Sequence, residues 1–308
     1  MKLLGIHTAE DKELPFERKA DMLGVTVDVT DDEKTCVKVS NKESRVVEMT
    51  EALDKIIAER KVEIATLPSI FGRLQFMESQ LLGRAGKLAL ADVRRLEQSS
   101  KTVAFLDNEQ LAVFGLLKER IAAPPRTIPA SRQEAPILIF SDGSCEEING
   151  KLVGAVGAVM FGGEHRDAVR AFGSFVPECL MEQWQNVGKK HLIGPVEMYA
   201  VVLARAVWMK YLGCRRIIYF IDHCGVMNSC VKGSSVDKIW RSLLVFEKLE
   251  LEVQTIPWFT RVPSPSNISD GPSRGRWHEI ANLFKFVRDK PRCPFSGEIL
   301  KDCSLQGD

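Results

Sequence analysis

The chain has 308 residues, 45% of them hydrophobic and 27% charged, with a formal net charge of +1. That length admits two domains, or one domain with appendages, and near-neutral charge argues neither for nor against a polyanionic partner, so any nucleic-acid binding must come from local patches. No uncharged apolar stretch approaches the roughly 20 residues of a membrane span and the amino terminus lacks a secretory apolar segment, so no membrane partner is expected. The eight cysteines form no C-x-x-C pair and read as reduced thiols of an intracellular protein.

The first predicted strand covers Met22–Val29, and Cys36–Val39 can pair with it as a hairpin. Ser40 with Glu43 makes a capping-box signature, followed at helical spacing by Val46, Met49, Leu53, Ile56 and Ile57. A second helical run is predicted over about 67–90, with Ile70, Leu74, Met77 and Leu81 on one face. Arg73, Arg84, Lys87, Arg94 and Arg95 punctuate this region as a solvated face or as contacts to a nucleic-acid backbone. A helix over about 108–122 leads into a segment with three separated proline sites. Such spacing disfavours helix and sheet alike, predicting an extended linker and a boundary near 123–135.

Beyond the linker, strands are predicted at 136–141, 154–161 and 170–176. A helix at about 195–211, a strand at 216–221, a helix at about 235–249 and a strand at 252–258 follow, then a short helix around 280–287 and a loose tail. Three strands followed by alternating helix and strand imply a mixed sheet with helices on its faces.

Four acids stand out against this frame. Asp142 follows the apolar run Ile137–Phe140, and Asp222 follows Ile217–Ile221. Both therefore fall where buried strands of α/β sheets present ligands. Glu197 lies two residues after Pro195, which places it in a first helical turn beside the apolar stripe Val196, Ala200, Leu203, Val207 and Tyr211. Asp270 stands in a post-strand loop between Asn267 and Arg274. Singly, Asp142–Gly143 also fits a hairpin turn, Glu197 a partner of the helix dipole and Asp270 a cap. Converging carboxylates are tolerated only with cations present, and together the four match a magnesium-dependent site that cleaves phosphodiesters.

From Pro136 to Arg274 the chain resembles the type 1 ribonuclease H domain, above all the version fused to retroelement reverse transcriptases. Ser141-Asp142-Gly143-Ser144, Glu197-Met198-Tyr199-Ala200, Ile221-Asp222 and the run Asn267-Ile268-Ser269-Asp270-Gly271-Pro272-Ser273-Arg274 are similar to that family's four motifs, in order. The resemblance implies a ribonuclease H-like mixed five-stranded sheet. It implies Asp142, Glu197, Asp222 and Asp270 as catalytic ligands of two Mg²⁺ ions about 4 Å apart, with Mn²⁺ as a substitute. The RNA strand of an RNA/DNA hybrid would be the substrate, told apart by its 2′-hydroxyls. Ser144, His223, Lys232, Arg261 and Asn267 are the candidate substrate contacts, with Lys189, Lys190, Lys238 and Arg241 as further candidates for the backbone.

Residues 1–97, with Leu14-Pro15-Phe16, Leu23-Gly24-Val25 and Gly72-Arg73-Leu74-Gln75, resemble the end of a reverse transcriptase palm and its thumb. Residues 98–135 are expected to be a helical connector and linker, 136–276 the ribonuclease H-like domain and 277–308 a carboxyl-terminal helix and tail. The polymerase's Tyr-x-Asp-Asp setting is absent, so polymerase activity is not expected: the chain resembles the carboxyl part of a retroelement polyprotein, or a gene derived from one, with a separate polymerase subunit or none as partner. Two departures from the family are visible: His223 where retroelement members often carry Asn, and Trp258–Pro263 without the loop His of many cellular members. They leave two outcomes, cleavage of the hybrid or binding without cleavage.

Overall fold

The computed structural model describes residues 17–30, 36–81, 86–98, 101–129, 135–163, 168–186, 191–234 and 237–295. Leu14–Phe16, Lys189 and Lys190 lie outside these residues, as do 130–134 of the linker and 296–308 of the tail.

In chain order the first elements are β1 (Lys19–Met22), β2 (Val25–Asp28), β3 (Cys36–Asn41), α1 (Glu43–Glu59) and β4 (Lys61–Glu63). They are followed by α2 (Leu67–Gln80), α3 (Lys87–Glu97), β5 (Val103–Phe105), α4 (Asn108–Ile121) and β6 (Arg126–Pro129). The next elements are β7 (Ile137–Ile148), β8 (Lys151–Phe161), β9 (Val169–Phe175), α5 (Glu178–Asn186), α6 (Ile193–Leu212) and β10 (Arg216–Ile221). The last are α7 (Cys224–Lys232), α8 (Asp237–Val253), β11 (Ile256–Arg261), α9 (Asp270–Ser273), α10 (Trp277–Ala281) and β12 (Val287–Arg288).

Several early expectations shift by one turn of chain. The Met22–Val29 run is not one strand, because Leu23 and Gly24 both take positive φ (50° and 86°) and turn β1 back onto β2. Ser40 pairs with Thr26 inside the β2–β3 ladder, so α1 starts at Glu43 without a side-chain cap. The helix expected over 67–90 is two helices, α2 and α3. The linker prolines fall at the ends of Arg126–Ile128, leaving those residues free to ladder with β3 as β6.

The principal sheet runs β11-β10-β7-β8-β9-β12. β7, β8 and β9 are antiparallel neighbours, whereas β10 lies parallel to β7, β11 to β10 and β12 to β9. This is the ribonuclease H-like mixed sheet, with a sixth strand of two residues beyond the five expected. β7 does not turn at Asp142–Gly143. It continues to Ile148, and the chain reverses at Asn149–Gly150, whose φ angles of 52° and 77° suit a tight hairpin.

α6 packs on β7 and β8 and under α8, so it is apolar and buried from Gly194 to Arg205 without a polar face. α10 and the chain after it cover the opposite side of β8 and β9, where Val159, Val169, Ala171 and Ile280 pack with Trp277 and Phe286. The described part of the stretch expected as a loose tail, up to Phe295, is anchored. Asp289 takes both Arg170 nitrogens (2.6 and 2.9 Å) and the Trp208 indole N–H (2.8 Å), and Phe295 is buried against Tyr199.

The hydrophobic core is continuous from Met49 and Leu53 of α1, through Phe114 and Leu117 of α4, to Leu243 and Phe246 of α8. Polar links cross the same boundary: the Trp240 indole N–H donates to Asp92 (2.5 Å), the Leu88 N–H to Glu247 (3.2 Å) and Arg126 to Glu250 (3.3 Å). Glu250 also holds the fully buried Arg205, whose guanidinium lies 3.8 Å over the Phe246 ring. Isolated, such a charge would not survive burial; paired, hydrogen-bonded and stacked, it does. Of the basic residues of the helical region, Arg73 pairs Glu48, Arg95 pairs Asp92 and Arg94 lies over Phe71, while Arg84 lies outside the described residues; in α8, Arg241 pairs Glu109. Among the described residues no helix is long and apolar enough to cross a membrane.

Candidate metal centre

Close backbone approaches assemble the site. Asp142, Gly157 and Gly173 lie side by side across β7, β8 and β9. A Cβ on Gly157 would stand 2.3 Å from the Ser273 nitrogen, and one on Gly173 would stand 2.3 Å from the Pro272 carbonyl oxygen. Two glycines therefore let α9 lie directly on the sheet, and the Ser273 hydroxyl donates to Asp142 Oδ2 (2.5 Å). Gly143 does the same for α6, since a Cβ there would meet the Glu197 nitrogen at 2.8 Å. Its role is close packing, not the turn that Asp142–Gly143 suggested.

Asp142, Glu197 and Asp222 each offer an oxygen within 4.8 Å of the other two. Glu197 is the fifth residue of α6, which begins at Ile193, so it lies past the first turn expected from Pro195. Burial pushes its carboxyl up to about 10, with Asp142 and Asp222 adding to the effect and a Gly143 backbone N–H opposing it. Burial also raises Asp142, to about 6, against the Ser273 hydrogen bond. Glu197 Oε2 and Asp222 Oδ1 are buried without a hydrogen-bond partner among the described residues. An orphaned buried acceptor costs about 1–3 kcal/mol. Three converging carboxylates with two orphaned oxygens, and no nitrogen or sulfur donor among them, fit a hard divalent cation such as Mg²⁺.

Asp270 is not in that group. Its Oδ1 takes the Arg274 Nε–H (2.9 Å) and its Oδ2 a guanidinium N–H of Arg276. Those arginines also pair with Glu146 (3.0 Å) and Glu279 (2.6 Å).

The expected substrate contacts divide in two. Asn267 is buried, its amide donating to the Ser141 carbonyl (3.0 Å) and its oxygen accepting from the Ser269 N–H (3.3 Å) and hydroxyl (2.6 Å). It ties the closing loop to β7 and presents nothing outward, contrary to the contact expected of it. Ser144 is also buried, its hydroxyl directed at the Ser273 carbonyl (3.4 Å). Lys232 ends α7 and Arg261 ends β11, and both are exposed.

His223 caps α7: its Nδ1 accepts the Val226 N–H (3.2 Å). An imidazole nitrogen here makes the bond an Asn oxygen would make, so this departure from the family pattern preserves the helix start. Ser273, Gly157 and Gly173 escaped the sequence reading as site-builders; glycines inside two neighbouring predicted strands were the available signal.

The strand order and the three acids at β7, α6 and the end of β10 define a ribonuclease H-like fold carrying a carboxylate triad. No protein-family model matches the chain, and no curated protein matches it. Among solved structures it is similar to ribonuclease H1 from the halophilic archaeon Halobacterium salinarum NRC-1, at 18% identity over 47% of this chain and 99% of that one (TM-score 0.35). It is similar, at 15% identity, to the amino-terminal ribonuclease H domain of a Mycobacterium tuberculosis protein, covering 48% of this chain and 98% of that one (TM-score 0.33). A foamy viral protease–reverse transcriptase solved in complex with double-stranded DNA aligns with 79% of this chain and 38% of its own, at 10% identity (TM-score 0.27).

Proposed function

We propose that the chain is a magnesium-dependent endoribonuclease that hydrolyses the RNA strand of RNA/DNA hybrids, in a protein of retroelement origin whose 136–276 segment carries the chemistry. The observation that carries this reading is the triad of buried Asp142 and Glu197 with half-buried Asp222, two of whose oxygens have no partner among the described residues. When bound, divalent ions supply activation of the attacking water and stabilisation of the leaving 3′ oxygen. The carboxylates hold charge at fixed points and need form no covalent bond. Ser273 keeps Asp142 oriented through Oδ2, and Gly143 fixes Glu197 from the backbone. Arg261 and Lys232, exposed on the elements flanking Asp222, would contact phosphates of the hybrid in this reading.

One observation favours the second reading, hybrid binding without cleavage: the fourth acid, Asp270, is occupied by two arginines. A 5′-labelled RNA/DNA hybrid incubated with the chain and Mg²⁺ decides between them. Cleavage that disappears in EDTA and in Asp142→Asn supports hydrolysis. Retarded but intact hybrid, identical in the wild type and Asp142→Asn, would leave binding alone.

A further inference from the structure

Across β7, β8 and β9, Asp142, Gly157 and Gly173 form one row of the sheet, and Ser144, Ala155 and Phe175 form the next. Residues two apart on a strand share a face, and such rows lie about 7 Å apart. On the face that bears Asp142, this second row opens into a groove of about 280 Å³, where Ala155 and Gly173 leave room between taller side chains. One wall is Trp277, packed so close to Gly173 that a Cβ there would stand 3.1 Å from its ring. Phe286 stacks on the same ring, and the Arg288 guanidinium lies 3.9 Å over it. Phe175 faces the groove from the end of β9 at 71% exposure, and Ile148 lies further along β7 at 48%. Apolar and aromatic surface left in water beside an acid centre marks a place where a ligand sits. The charges at its rim differ in kind. Arg274 is already shared by Asp270 and Glu146, whereas Arg288 lies against the indole rather than a carboxylate among the described residues.

We propose that this groove holds the base of an unpaired nucleotide where the RNA strand leaves the hybrid, so that the preferred substrate is a hybrid flanked by single-stranded RNA. The inference rests on the hybrid-cleaving reading above and names the substrate class of the same site. A base inside a duplex has both faces covered by its neighbours and shows a protein only its edges and backbone. A ring standing in water, as Phe175 does, and a guanidinium plane offer contact to a base face, which only an unstacked base can use. The strand at the triad is the one that continues over the adjoining row, since Ser273 touches both Asp142 and the groove. Arg288 then supplies the positive charge for the phosphate that accompanies the base.

The test uses the full chain carrying Asp142→Asn, which stops cleavage in this reading, and fluorescence anisotropy in Mg²⁺ with the label on the DNA strand. The RNA strand is either flush with the DNA or extended by a short unpaired segment at its 5′ or its 3′ end. One of the two extended hybrids is expected to bind about five- to thirtyfold more tightly than the flush one, the gain that one stacked base provides. An extension with the same phosphates but no bases next to the duplex is expected to give no such gain. Phe175→Ala, at a position too exposed to hold the fold together, is expected to bring the ratio of extended to flush affinity to within about twofold, and Arg288→Gln to lower it. The groove assignment is overturned if neither extension tightens binding, if the gain survives removal of the bases, or if it survives Phe175→Ala. A flush hybrid that binds with no gain from either extension overturns the groove assignment alone. Failure of both flush and extended hybrids to bind overturns the hybrid reading and the groove assignment together.

Discussion

Replacing Asp142 with Asn should stabilise the metal-free protein, and the gain should grow with pH. Burial holds the Asp142 carboxyl at about 6, against an ordinary value of 3.8. A raised carboxyl means that the folded state holds its proton more tightly than the unfolded chain. Its contribution is therefore fully favourable below the ordinary carboxylate range and is lost as pH rises through about 6. At about 1.4 kcal/mol per unit, the full cost above pH 7 is about 3 kcal/mol, of which about 2 kcal/mol develops between pH 4.5 and 7.5.

Asn keeps the shape and an oxygen for the Ser273 hydroxyl but carries no charge to desolvate. Urea unfolding in EDTA at the two pH values is the assay. Asp142→Asn is expected to gain about 2 kcal/mol on the wild type over that interval, and 10 mM Mg²⁺ to narrow the gap by raising the wild type alone. A variant less stable than the wild type at pH 7.5 in EDTA, or an equal Mg²⁺ effect on both, would refute the electrostatic account of the site.

Three other substitutions probe how the site is built. Gly143→Ala places a methyl 2.8 Å from the Glu197 backbone nitrogen; it should cost about 1–3 kcal/mol in urea unfolding and reduce hybrid cleavage, since α6 must retreat from β7. Asn267→Ala removes the hydrogen bond that joins the closing loop to the Ser141 carbonyl of β7 and two more to Ser269 inside the loop. It should lower stability by about 2–3 kcal/mol and leave hybrid affinity, measured by fluorescence anisotropy at a temperature where the variant is folded, within about twofold. Glu250→Gln leaves the fully buried Arg205 without its counter-charge, and thermal unfolding should register a loss of about 3–5 kcal/mol.

Much of the sheet was legible because its central strands are buried. Ile137–Phe140 and Ile217–Ile221 are apolar runs that only a covered strand tolerates, and an acid of the triad stands within two residues of the end of each. What escaped was decided by distant chain. Asp142–Gly143 has the composition of a turn, yet Gly143 is there because the α6 backbone passes against it. The turn belongs to Asn149–Gly150, an equally legible signal seven residues further along the chain. Ser40 has the right neighbour for a capping box, but pairing with Thr26 outweighs a cap. Proline spacing suggested a linker because the partner strand that recruits Arg126–Ile128 lies nearly ninety residues earlier. The acids of the triad were legible jointly, from their order along strand, helix and strand, since each alone also fitted a local role; the pairing of Asp270 with Arg274 and Arg276, an arrangement of side chains rather than of elements, was not.

The segment after Asp270 carries a consequence for how this chain tolerates change. Trp208 and Tyr199, which hold Asp289 and Phe295, both belong to α6, the helix that also bears Glu197. A helix transmits displacement along its length as a stiff rod, so a lesion ninety residues downstream of Glu197 acts on that carboxylate through two handholds. Distance along the chain is thus a poor guide to harm here. Substitutions at Asp289 or Phe295 belong with those at Ser273 as disturbances of the acid centre, even though neither residue touches it.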